Sequence, residues 1–350
     1  MKKTIVFTMV CIALLFASCA SDNSNDMDMP NPENATVYVA GSNTNEQDTG
    51  DSELDRALLW VDGELTALTD GQTDAEAFSV YVSGEDVYVA GYEKSENGIL
   101  VAKYWKNGVE VSLTDGSRDA VAYDILIEGN NVHVVGHERS EIPGGRLIAT
   151  YWLNGIPTLL ADGTEFSSAR ALAFSEGEVH IVGGEGSIAK YWVNGISINL
   201  NDGLNSAFAN DISIEQGNVY IALRENREIN GEDFQIASYW NNQQITVLDI
   251  NTSFAGAFGI LAYNNNLYVG GSSQEVGDSL ILRFWLNGEV LSDPIVGEIT
   301  SITKLADDIY YAGFTGSGLA SIPTYWKNDE MVLLPSGDFT FVKAFDIFVK

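Results

Sequence analysis

Between Glu76 and Asp115 the chain passes through four short runs dominated by β-branched and aromatic residues: AFSVYV, DVYVAGY, ILVAKYW and VEVSL. SGED, a polar loop and KNG separate them. Apolar runs this short, bounded by Gly, Asn, Asp and Ser, predict β-strands. Asn107-Gly108, Asn154-Gly155, Asn194-Gly195 and Asn287-Gly288 predict tight hairpin turns, because both central residues tolerate positive φ. Asp62-Gly63 takes the same place earlier in the chain. After the N-terminal segment no stretch of useful length carries a helical period.

The pattern repeats. All seven tryptophans fall in related phrases, at Trp60, Trp105, Trp152, Trp192, Trp240, Trp285 and Trp326, with gaps of 45, 47, 40, 48, 45 and 41 residues. A period of 40–50 residues marks one structural unit used repeatedly. Four antiparallel strands per unit, seven times, predict an all-β, seven-bladed β-propeller, in which each blade buries both faces against its neighbours. An open stack of the same units would expose two end faces and need caps. Blades converge on an axis, so inner strands must carry small side chains. The first strand of each unit supplies Ala77, Ala122, Ala171, Ala209, Ala257 and Ala344, with Ile299 as the exception. The third strand carries the bulky pair, as in Tyr104-Trp105 and Tyr151-Trp152. First strands are therefore expected at the axis and Tyr-Trp strands further out, an order that resembles propellers of the NHL and YVTN kind. The domain opens on ATVYVAG, a second strand, and the chain ends on KAFDIFVK, a first strand. Pairing of Ala344–Val349 with Val37–Gly41 would close the ring and leave no free edge.

Lys2 and Lys3 followed by the apolar run Ile5–Phe16 predict a secretory signal. Phe16-Ala17-Ser18-Cys19 resembles the lipobox of bacterial lipoproteins, which implies cleavage before Cys19 and lipid attachment to its thiol. Ala20 is not the Asp that retains such proteins at the inner membrane. The stretch SDNSNDMDMPNPE resembles the acidic export signals of surface lipoproteins. The expected organisation is a signal peptide over 1–18, an acidic flexible tether over 19–35 and a propeller over 36–350. The protein is expected on the outer membrane, held by lipid and facing the exterior.

Cys11 and Cys19 are the only cysteines, so the mature domain has no disulfide, thiolate metal site or cysteine nucleophile. Removing Lys2 and Lys3 leaves 16 basic against 49 acidic residues, a balance of −33. This excludes nucleic acid as a partner, since backbone binding needs cations, and leaves lipid as the only membrane attachment. A monomer is expected.

Candidate chemistry is sparse. His133 and His180 stand where other units have tyrosine, which predicts packed rings; His137 is the third histidine. Asp70-Gly71, Asp115-Gly116, Asp162-Gly163 and Asp202-Gly203 read as turns in which Asp bonds nearby amides. The inner strands align Ser79, Asp124, Ala173, Asp211, Gly259, Ser301 and Asp346 in one column. Aspartates near an axis must be hydrogen-bonded or share a cation, so Asp124, Asp211 and Asp346 are the binding-site candidates. Gly41–Arg56, Gly136–Leu147 and Leu223–Phe234 read as long variable loops, the usual seat of binding. With no catalytic motif in sight, the first expectation is a non-catalytic surface lipoprotein that binds a protein or glycan through its loop face, without a cofactor. The alternative is a calcium-assisted hydrolase or lyase acting near the axis.

Overall fold

The computed structural model describes residues 35–43, 54–142, 144–229, 231–249, 252–274, 279–292 and 294–350. The signal segment, Cys19, the tether up to residue 34 and part of the Gly41–Arg56 loop lie outside them. Among the described residues the fold is all-β, with one 3-10 turn at Gly318–Ala320. Its strands form five four-stranded sheets and one eight-stranded sheet. Within each four-stranded sheet every pairing is antiparallel. The eight-stranded sheet is two such units joined by a single parallel contact, Gln235 beside Phe254.

The hairpins form as the turn chemistry requires. Asn107 and Gly108 adopt φ of 52° and 78°, and Asn154 and Gly155 adopt 51° and 79°. The asparagine does more than tolerate the turn. Its Oδ1 accepts from the N–H of the second residue in the unit's second strand: Val87 for Asn107, Val132 for Asn154 and Leu267 for Asn287, each at 2.8–2.9 Å.

First strands line the centre. Ala75–Ser83 packs on Ala120–Glu128, which packs on Ser167–Ser175; Ala207–Glu215, Phe254–Tyr263 and Gly297–Leu305 continue the row. Val342–Val349 pairs antiparallel with Val37–Asn43 and touches both Gly297–Leu305 and Ala75–Ser83. Tryptophans fill the widening space outside. Trp60, Trp105, Trp152 and Trp285 are at most 1% exposed. Trp152 packs against Ala90 and Ala102 of the preceding sheet, and Trp105 against Ala40 and Ala57.

Each inner strand carries a β-bulge at the same place. The pairing skips a residue between Ala77 and Ser79, Ala122 and Asp124, Ala169 and Ala171, Ala209 and Asp211, Ala257 and Gly259, and Ile299 and Ser301. It also skips Phe345, between Ala344 and Asp346. The bulge brings a carbonyl close to the second strand, which is why glycine faces it. A Cβ on Gly91 would lie 1.9 Å from the Glu76 carbonyl, and one on Gly136 1.9 Å from that of Val121. Leu223 is the one larger residue at this place.

The bulges correct two expectations. In the Ser167–Ser175 strand the slim residue is Ala169, not Ala171, and the residue in the aspartate column is Ala171, not Ala173. Aligning the unit by its later Ala-Leu-Ala run slipped it by two residues, a whole side-chain period. Leu223–Phe234 is also not a loop. Asn218–Ile229 and Glu232–Asn241 extend as paired strands through it.

Candidate functional site

An axial cavity of about 540 Å³ lies inside the row of first strands, lined by all the bulged residues. A bulge bends a strand and re-aims its extra side chain. Here it aims Phe78, Tyr123, Arg170, Asn210, Phe258, Thr300 and Phe345 at the axis, forming a collar. Phe78 is the centre of an aromatic arc, 5.1 Å from Tyr123 and 5.7 Å from Phe345 between ring centroids. The Arg170 guanidinium lies 3.8 Å over the Tyr123 ring and 5.6 Å from Phe208.

Directly after each bulge comes the column that contains the aspartates. Asp124, Asp211 and Asp346 line the same cavity, which removes them from the outer surface while leaving part of each open to the interior. They bind across units. Asp124 Oδ1 accepts from Ser79 Oγ at 2.7 Å and from Ile125 N–H at 2.8 Å, and its Oδ2 accepts from Leu172 N–H at 2.8 Å. Asp211 accepts from Ile212 and Ile260 N–H. Asp346 accepts from Ser301 Oγ at 2.6 Å and Val80 N–H at 2.8 Å. Asp124 and Asp346 thus tie their sheets to the neighbouring ones, Asp211 ties together the two units of the eight-stranded sheet, and Gly259 occurs where Phe254–Tyr263 comes close to its neighbour, with Ser301 Cα 3.0 Å from a hypothetical Cβ.

Burial, joined by the neighbouring Asp346 charge, pushes Asp124 up to about 7; the accepted hydrogen bonds hold back part of the rise. Burial pushes Asp211 up to about 8 and Asp346 also upward. Among the described residues no group of three or more His, Cys, Asp or Glu side chains is placed to hold a metal ion. The exposed Asp-Gly turns are Asx turns: Asp70, Asp115, Asp162 and Asp202 each accept from the N–H two residues on.

At the rim of the collar sit residues that the sequence column did not include. Glu298, one residue before Ile299, faces the cavity and accepts from Ser272 Oγ at 2.8 Å. Burial raises its carboxyl, while the Lys343 and Arg224 charges pull it down. Arg224 also lines the cavity, and burial with the Arg170 charge lowers its guanidinium. Glu76 accepts from Tyr92 Oη at 2.8 Å and is raised by burial. A signal in the sequence, Ala-x-Ser in a first strand opposite Val-x-Gly in the second, with x the bulge and the residue before the alanine at the rim, could have found Glu76; Glu298 stands before Ile299 and Arg224 lies on a second strand, so that pattern misses both.

The histidines divide. His133 and His180 stack on Tyr151 and Tyr191 and share short Nδ1···Oη hydrogen bonds of 2.6 and 2.5 Å. Burial lowers both. His137 lies beside the collar with Nδ1 3.1 Å from Ser168 Oγ. Burial and the Arg170 and Arg139 charges push it down to about 3, too weak a base to activate a serine near neutrality.

No protein-family profile matches this chain, and no curated protein matches it in sequence. Solved structures match its fold. One is the puromycin-hydrolyzing peptidase of Mycobacterium tuberculosis, with TM-score 0.52 and 13% identity over 80% of this chain and 50% of that one. The uncomplexed acylaminoacyl peptidase of Pyrococcus horikoshii gives TM-score 0.51 and 12% identity over 87% and 51%. The β-propeller domain of the Trilobed protease from Pyrococcus furiosus, which has an open velcro topology, gives TM-score 0.50 and 12% identity over 87% and 93%. The chain spans about half the length of the two peptidases. The likeness shows a propeller-type fold. These neighbours are peptidases and a protease, a finding that runs against the expectation of a non-catalytic protein or glycan binder.

Proposed function

We propose that this chain is a closed propeller of seven blades that works as a hydrolase, with its site at the axial collar. The seven bulged first strands and the Val342–Val349 pairing with Val37–Asn43 support the blade count and the closure. Such closure removes the free edges an open row of sheets would have. The reaction is hydrolysis by general acid–base chemistry, with Glu298 as the group that takes a proton from water. The neighbours named above favour hydrolysis as the reaction class. Their greater length places the weight on this chain's own cavity rather than on their catalytic parts.

One observation carries the reading: a carboxyl in the cavity, fixed by Ser272 and raised by burial, beside two cationic side chains. A carboxylate with a raised pKa is a stronger base than an exposed one, and its efficiency grows as its pKa nears the working pH. A base must be ionised, so activity should climb with pH through the raised Glu298 value and plateau above it.

The N-terminal segment delivers the domain. We read 1–18 as the signal, Cys19 as the lipid-bearing residue and 19–35 as the tether that holds the propeller at the outer membrane.

The test is hydrolysis of peptide p-nitroanilides and acyl p-nitrophenyl esters by the full chain and by Glu298→Gln. Loss of at least about a hundredfold in kcat/KM, with melting unchanged, supports the role. Equal rates in both proteins, or no turnover of any member by the parent, removes it.

A further inference from the structure

We propose that the axial cavity binds a carboxylate-bearing ligand, its anionic group held by Arg170 and Arg224 and its apolar body resting on the aromatic arc of the collar. This names the substrate class for the hydrolase reading above, yet it rests on binding and is measured without turnover.

The chain has 49 acidic and 18 basic residues, so a cation has many carboxylates to choose from. Five of its arginines take one: Arg118 with Glu138, Arg139 with Asp119, Arg146 with Glu165, Arg227 with Glu225 and Arg283 with Asp249. Among the described residues Arg56, Arg170 and Arg224 are in no ion pair; Arg56 lies over the Phe339 ring, whereas Arg170 and Arg224 line the cavity. The latter two also stand close to each other. Arg170 reaches Phe208, the residue directly opposite Arg224 in its ladder, and burial together with the Arg170 charge lowers Arg224.

Two neighbouring guanidinium groups repel, the Glu298 carboxylate beside Arg224 offsets only part of that repulsion, and an anion between them relieves the rest. The guanidinium fork matches a carboxylate in two parallel hydrogen bonds. Stacking on Tyr123 fixes the plane of the Arg170 fork before any ligand arrives, which lowers the ordering cost of binding. Phe78, Phe258 and Phe345 supply the apolar floor. Glu298 and three aspartates share the cavity, so a dianion pays more repulsion than a monocarboxylate.

The probe is N-acetyl-phenylalanine, with its neutral amide and inorganic phosphate as the other arms, titrated calorimetrically into the full chain in a phosphate-free buffer. The acid should bind at least tenfold more tightly than the amide and than phosphate, and added salt should weaken it. Arg224→Gln and Arg170→Gln should each lose at least tenfold, with Arg118→Gln as an unaffected control and melting curves confirming folded variants. Glu298→Gln should keep the acid bound, or bind it more tightly, while losing turnover. Equal binding of acid and amide, no binding of the acid, tighter binding of phosphate, or full binding by both arginine variants overturns the proposal. Tight acid binding alongside normal turnover by Glu298→Gln would sink the hydrolase reading alone.

Discussion

An Asp124→Asn substitution sets two effects against each other. In the folded protein the Asp124 carboxyl sits near pH 7 rather than 3.8. A folded value above the unfolded one means that the native state holds an extra proton between them. Stability from this group is therefore complete below the unfolded value and is lost as pH rises through about 7. About three units at 1.36 kcal/mol each set a ceiling of about 4 kcal/mol, reduced by whatever water enters the cavity. Asparagine does not titrate. It also turns an N–H towards the Leu172 N–H that Asp124 now serves, a pH-independent loss of about 1–3 kcal/mol. The variant should be the less stable protein at pH 4 and should draw level with the parent, or overtake it, by pH 8. Urea unfolding followed by tryptophan fluorescence at pH 4, 6 and 8 reads this directly. A stability difference that stays constant across that range would refute the reasoning, because it would show the three donors holding the carboxylate ionised against burial.

Other outcomes follow from the same geometry. Gly136→Ala places a methyl group against the Val121 carbonyl and should destabilise by about 1–3 kcal/mol in thermal melts; Leu223 at the matching place shows that the ladder can open, which bounds the loss. Deleting residues 343–350 removes the strand paired with Val37–Asn43 along with the Asp346 bonds to Ser301 and Val80, and should abolish cooperative unfolding. Cys19→Ser should move the protein from the membrane fraction to the soluble fraction on cell fractionation, if lipid is its anchor.

Much of the fold was legible because its determinants are local. Asn-Gly turns, short apolar runs and the tryptophan period each lie within a few residues of the strand they specify. The column of Asp124, Asp211 and Asp346 was legible for the same reason, though not what they bind: their partners Leu172, Ile260 and Val80 belong to neighbouring units. The collar was hidden by the bulges. A bulge inserts one residue into an otherwise alternating strand, so Phe78, Tyr123 and Arg170 read as ordinary members of a half-buried strand. The same feature produced the two-residue slip at Ala171, since alanines stand on both sides of Arg170 and again at Ala173. Arg224 and Glu298 were invisible as a pair because only the packing of separate units brings them to one cavity.

The rate of hydrolysis by the intact chain, with and without the Glu298 carboxyl, tests the proposed site most directly. Turnover of a peptide or ester probe should rise with pH through a value above the ordinary carboxylate range and fall at least about a hundredfold in Glu298→Gln with folding intact. Turnover that is unchanged in the variant, or a parent protein that cleaves none of the probes at any pH, would contradict it.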